Sequence, residues 1–245
     1  MDAFLKAARA LALGAGLSAV SLGLARAAGC DPDAVAAITA PSPRPEFRPE
    51  RIAEIDKRAA AQQFDALAFG DSLLEGWREA DLTRAFGAPA LDVGFGMDGA
   101  EQILWRLERF DWSKQHPKYV LALVGNNDMH FPACAVDIGL AHLIGELRRM
   151  FPAARLIVTS VFPRGRNFLD KDAAIRAVNA TLAAGAKRGG YAFFDIYPAF
   201  TCGRQPTCDL YQAPVNRHLT AKGYTLLNDL LQKFVAAANP KPGSP

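Results

Sequence analysis

Short strand-like runs, mostly apolar and alternating with longer amphipathic stretches, constrain this chain more than any other feature. The runs are Asp65 to Phe69, Ala90 to Val93, Tyr119 to Val124, Arg155 to Val161 and Tyr191 to Ile196. Helical stretches lie between them, near Gly99 to Phe110, Val136 to Met150 and Asp170 to Arg188. A run such as Tyr119-Val120-Leu121-Ala122-Leu123-Val124 has no polar face, so as a strand it must be covered on both sides. Strands alternating with helices read as parallel βαβ units. Pro49 opens a helix-friendly stretch to Gln63, and Thr220 caps a last helix through Val235. The expected fold class is α/β, a three-layer doubly wound parallel sheet without internal repeats.

A chain of 245 residues, 50% apolar and 22% charged, fits one domain around one sizeable core. Its net charge is only +3, and no Lys/Arg run or basic stripe interleaved with aromatics tracks a phosphate backbone, so nucleic acid is not an expected partner. Residues 1–27 read as an export signal: Lys6 and Arg9 precede an apolar stretch from Ala10 to Leu24, and Ala25-Arg26-Ala27 supplies small residues for cleavage after Ala27. That stretch is glycine-containing and shorter than the roughly 20 residues that span a bilayer, which favours removal over anchoring and leaves no integral membrane segment. A secreted or periplasmic location follows. Residues 28–49 form a proline-rich arm, stiffened by Pro41-Ser42-Pro43-Arg44-Pro45 and Pro49. Residues 50–239 form the domain, and 240–245 a disordered tail.

In an oxidising compartment an even cysteine count reads as bridges. Cys202 and Cys208 lie close together in a Gly-, Pro- and Gln-rich loop, which leaves Cys30 for Cys134. Lipidation of Cys30 is the competing fate, although Ala27 is smaller than the aliphatic residue expected three positions before such a cysteine. No Cys-x-x-Cys or His-x-x-x-His occurs, so neither metal nor cofactor is expected.

Ligands of open parallel sheets bind beyond the carboxyl ends of the strands. The first strand is followed there by Asp71 and Ser72, the second by Gly94, Gly96 and Asp98, and the third by Gly125-Asn126-Asn127-Asp128; His218 precedes the last helix. Each segment alone has a bland reading. Gly-Asp-Ser is a common turn that caps a helix, Gly94 and Gly96 permit tight backbone, and Asn127 and Asp128 can close a turn. Their concurrence at strand ends favours a site with a nucleophile, oxyanion donors and a base. Of the four histidines, His142 lies in a helical stretch and His116 in a connection before Pro117. His130 is a candidate substrate contact or second base, and His218 is the better base. The Gly-x-Ser-x-Gly elbow fails because position 74 is leucine. Trp77 and Trp105 read as core residues rather than a sugar platform.

From about Arg51 to Phe234 the sequence resembles the SGNH or GDSL hydrolases, in the branch related to platelet-activating-factor acetylhydrolase. The resemblance is carried by Phe69-Gly70-Asp71-Ser72-Leu73-Leu74-Glu75-Gly76-Trp77, Val93-Gly94-Phe95-Gly96-Met97-Asp98, Leu104-Trp105-Arg106-Leu107, Val124-Gly125-Asn126-Asn127-Asp128, Phe162-Pro163-Arg164-Gly165 and His218-Leu219-Thr220-Ala221-Lys222-Gly223-Tyr224. It implies a flavodoxin-like sheet, Ser72 as nucleophile and His218 as base. It also implies an oxyanion hole from the Ser72 backbone, the Gly96–Met97 segment and the Asn127 side chain, with no metal or cofactor. Two positions depart from the pattern. The second-block glycine of the family falls at Met97, and its Asp-x-x-His reads Val215-Asn216-Arg217-His218, so the acid that orients the base is missing. Asp209, nine residues before His218, Asp71, or a backbone carbonyl near Val215 could take that place. The implied activity is hydrolysis of a short acyl ester, acetyl above all, on a small molecule or glycan. The alternatives are acyl transfer from the same acyl-enzyme, or a glycan- or lipid-binding domain that has lost its rate.

Overall fold

The structure, a computed structural model, describes residues 29–238. The proposed export signal and the tail from Pro240 lie outside the described residues.

Five parallel strands form one sheet in the order β2-β1-β3-β4-β5: β1 Ala66–Gly70, β2 Ala90–Gly94, β3 Tyr119–Leu123, β4 Arg155–Thr159 and β5 Ala192–Phe194. β1 pairs in register with both β2 and β3, so Gly70 lies between Gly94 and Leu123 at the carboxyl edge. This is the doubly wound order in which the switch point falls between β1 and β3.

The strands sort their side chains by the two-residue period of extended backbone. Leu67, Phe69, Leu91, Val93, Val120, Ala122, Leu156 and Val158 face one layer; Ala66, Ala68, Leu121, Leu123, Ile157 and Phe194 face the other. The first layer is covered by α1 Pro32–Thr39, α2 Pro49–Ala61, α5 Ala100–Arg109, α6 Ala133–Met150 and α7 Asp172–Gly189. The second is covered by α3 Ser72–Glu75, α4 Glu79–Phe86 and α8 Ala221–Ala238. Thr220 caps α8 through the Gly223 N–H, which donates to its Oγ1 at 3.2 Å. Trp77 is buried in the second layer, and Trp105 is partly buried against the first.

The segment ahead of α2 is not extended throughout. It begins with α1, whose N-cap Asp31 accepts the Asp33 N–H, and only the proline run after Thr39 is irregular. Ile38 seats against Gly139 of α6, where an added Cβ would stand 2.6 Å from Ile38 Cγ1, so the two helices touch because that position lacks a side chain. Cys30–Cys134 fastens the start of α1 to the start of α6, and Cys202–Cys208 closes a short loop. The first bridge spans 104 residues. A closed loop that long restricts the unfolded chain strongly, so replacing Cys30 and Cys134 with serine is expected to lower stability by about 2–4 kcal/mol, read as a lower midpoint in denaturant unfolding.

Candidate active site

β1 ends at Gly70, a position with no room for a side chain: a Cβ there would meet the Leu123 carbonyl oxygen at 2.5 Å and the Leu74 Cβ at 2.9 Å. The chain turns immediately into α3, with Asp71 as N-cap: its Oδ1 accepts the Leu73 N–H at 2.8 Å. Ser72 therefore occupies the first helical position, where a backbone N–H has no intrahelical acceptor. From α8, Tyr224 donates its hydroxyl to the Leu73 carbonyl at 3.0 Å and so braces this short helix.

Ser72 Oγ lies 3.0 Å from His218 Nε2, across 146 residues of sequence. The loop bearing His218 is held by backbone and amide contacts. The Gln212 N–H donates to the His218 carbonyl at 2.8 Å, and the fully buried Asn216 donates its Nδ2 to the carbonyls of Gly165 and Pro206 at 3.2 and 2.8 Å. Among the described residues no carboxylate bonds the imidazole of His218. Asp209 does not reach it: its exposed carboxylate is taken by Lys222, a nearby lysine that an exposed loop acid captures readily. Asp71 caps α3 with Oδ1, while its Oδ2 is buried without a partner and makes no bond to the imidazole. Val215, at the position the family fills with an acid, is 54% exposed.

Ser72 and His218 share a cleft of about 330 Å³ with Asp71, Leu73, Met97, Asn126, Asn127, Arg164 and Arg217. Three residues lining it have N–H hydrogens to spare. The N–H groups of Ser72 and Met97 make no hydrogen bond among the described residues, and Asn127 spends one amide proton on the Asp98 carbonyl at 3.0 Å. Gly96 is not among them, because its N–H already donates to Glu75 Oε2 at 2.7 Å. From Gly94 to Asp98, only the Met97 N–H is left without a partner among the described residues. Asn126 is likewise occupied, pairing through its amide with the Phe162 backbone at 3.1 and 3.4 Å. His130 is held elsewhere, its Nδ1 2.7 Å from the Asn127 carbonyl and its ring against Phe131.

Met97 has φ +62° and an exposed side chain. The left-handed region costs a residue with a Cβ about 1–2 kcal/mol, which explains the glycine preference of the family here. Asp98, fully buried, forms an ion pair with the equally buried Arg106, whose guanidinium lies 3.3 Å from the Phe95 ring centroid. Glu75, Arg106 and Arg164 are the site-supporting residues that sequence reasoning did not single out. All three stand inside the blocks quoted above, and that position was the one available signal.

Three buried acids carry a pH signature. Burial pushes Asp71, Asp92 and Asp128 each up to about 7. Asp128 caps α5 by accepting the Ala100 N–H at 2.8 Å, and its other oxygen has no partner. The folded state therefore holds protons that the unfolded chain has released between about pH 4 and 7, and stability falls as pH rises through that window. The melting temperature is expected to be higher at pH 5.5 than at pH 8, and Asp128→Asn should narrow the difference while Asp71 and Asp92 keep the rest.

Among the described residues, no group of three or more His, Cys, Asp or Glu side chains is placed to hold a metal ion. No described helix is long and apolar enough to cross a membrane.

A parallel doubly wound sheet carries a serine and a histidine 3.0 Å apart beyond β1, a pairing that suits a serine hydrolase. Residues 68–226 match the GDSL-like lipase/acylhydrolase family, and the chain belongs to that family of carboxylic ester hydrolases. Over 183 residues it is 29% identical to the human platelet-activating factor acetylhydrolase IB subunit alpha1, covering 70% of this chain and 77% of the relative. Solved structures share the fold. A GDSL-like lipase from Bacteroides thetaiotaomicron superposes with a TM-score of 0.61 at 20% identity, covering 76% of this chain and 98% of the other. A catalytic mutant of an acetylxylan esterase from Geobacillus stearothermophilus superposes with a TM-score of 0.57 at 15% identity, covering 71% and 94%.

Proposed function

We propose that the chain is an exported serine esterase that removes a short acyl group, acetyl first, through an acyl-enzyme on Ser72 with His218 as the base of a dyad. The carrying observation is the 3.0 Å contact between Ser72 Oγ and His218 Nε2 beside two unpaired backbone N–H groups in one cleft. A serine hydroxyl attacks only when a base can accept its proton. Nε2 takes that proton as Oγ bonds the ester carbonyl carbon. The resulting oxyanion accepts from the N–H groups of Ser72 and Met97 and from Asn127 Nδ2. His218 then returns the proton to the leaving alkoxide. In the second half it deprotonates water, whose oxygen attacks the acyl carbon; as the bond from that carbon to Ser72 Oγ breaks, His218 gives the proton to Oγ and the carboxylic acid leaves.

The tautomer this requires has its hydrogen on Nδ1. With no carboxylate bonded there, the anchored loop positions the ring through Gln212 and Asn216. A cleft of about 330 Å³ lies at the small end of ligand sites and suits a short acyl chain. The acetyl ester named for the human relative and for the xylan esterase neighbour supports the same choice. Disulfides at Cys30–Cys134 and Cys202–Cys208 support an oxidising compartment.

Purified mature protein is expected to hydrolyse p-nitrophenyl acetate faster than the butyrate and to be labelled by a fluorophosphonate at Ser72. Labelling without hydrolysis moves acyl transfer ahead. Neither labelling nor hydrolysis leaves a binding domain, the reading that the exposed Val215 favours.

A further inference from the structure

We propose that Arg44, which lies before α2 and outside residues 68–226, is a positioning residue that aims the Met97 N–H into the cleft. The inference rests on the esterase reading above.

Phe95, Gly96, Met97 and Asp98 form a turn closed by the Asp98 N–H on the Phe95 carbonyl at 3.2 Å. Only the third residue, Met97, has positive φ, the pattern of a type II turn. In a type I turn the third residue has φ near −90°, which suits methionine, and the peptide between the second and third residues points the opposite way. The side chain at Met97 thus favours the flip, while the site needs the unflipped turn.

What opposes the flip comes from outside the turn. Arg44 Nη1 donates to the Gly96 carbonyl at 3.4 Å and to Asp98 Oδ1 at 3.1 Å, while Glu75 holds the Gly96 N–H at 2.7 Å. The Gly96 carbonyl and the Met97 N–H belong to one planar trans peptide, so they point in opposite directions. With the carbonyl turned to Arg44, the N–H faces away from it, and Met97 lines the cleft beside Ser72. A Cβ on Gly96 would stand 4.0 Å from Ser72 Cβ, which puts this peptide next to the nucleophile.

Arg44 is itself well placed to hold still. Its guanidinium stacks on Phe47 at 4.0 Å and its side chain is 19% exposed. Arg48, on the same segment, pairs with Glu75 at 2.6 Å, and the Ser42 N–H donates to the Glu101 carbonyl at 2.9 Å. Asp98 keeps Arg106 whether or not Arg44 is present, so removing Arg44 chiefly releases the Gly96 carbonyl.

The test is p-nitrophenyl acetate kinetics on Arg44→Ala, Arg44→Lys, Met97→Gly and the double variant Arg44→Ala/Met97→Gly, beside wild type and Ser72→Ala. Arg44→Ala is expected to lower kcat about 10-fold with KM little changed, inside the 10²- to 10³-fold worth of a whole oxyanion donor. Arg44→Lys should restore part of the rate. Glycine accepts positive φ without strain, so in the Met97→Gly background the loss on removing Arg44 should shrink to about 3-fold or less. If Arg44→Ala is unfolded at the assay temperature, Arg44→Lys with and without Met97→Gly carries the same comparison. An unchanged kcat in Arg44→Ala, or an equal loss in both backgrounds, overturns the proposal while leaving the esterase reading intact. Wild type no faster than Ser72→Ala overturns the esterase reading itself.

Discussion

Replacing Ser72 with alanine is expected to reduce the hydrolysis of p-nitrophenyl acetate by about 100-fold or more, and His218→Ala by a similar factor. Removing the nucleophile or base of a complete triad costs about 10⁶ in kcat. Neutralising the acid of such a triad costs about 10⁴ of that. This chain has no acid on His218, so the wild type starts lower and the remaining fall to the oxyanion-assisted background is correspondingly shallow. The two residues act as one unit through the 3.0 Å contact. The double variant should therefore be no slower than either single one. Additive losses would mean that Ser72 and His218 do not share a step.

Val215→Asp is expected to raise kcat about 10- to 100-fold, with about 10⁴ as the ceiling set by the worth of a triad acid. Val215 stands three residues before His218 and is 54% exposed, so a carboxylate there carries little burial cost and stability should stay within about 0.5 kcal/mol. The neighbouring backbone is pinned by Asn216 on Gly165 and Pro206, which favours insertion of the acid without moving the loop. The gain should vanish in the combination with Ser72→Ala. No gain in Val215→Asp would mean that the Nδ1 proton already has an acceptor as good as a carboxylate.

Much of the fold can be read from local pattern. The five strands and the four helices beginning near Pro49, Gly99, Val136 and Asp170 shift by only a few residues, because a two-sided buried strand or an amphipathic helix is a property of neighbouring residues. The helices read less well are α1, α3 and α4, of eight, four and eight residues. Segments that short show little periodicity, and tertiary packing stabilises them more than propensity does. α1 exists where Ile38 finds Gly139, a contact across a hundred residues.

The amino-acid sequence by itself determined the α/β class, the family and the identity of Ser72, His218 and Asn127 as site candidates, since those depend on which residue follows which strand. Only the tertiary structure decided how each group is spent. Glu75 takes the Gly96 N–H, Lys222 takes Asp209, the α3 cap takes one oxygen of Asp71, and Arg44 reaches the turn before Asp98 from 52 residues away. A hydrogen bond depends on where two groups lie in space, and a donor already satisfied is chemically silent however suggestive its place in the chain.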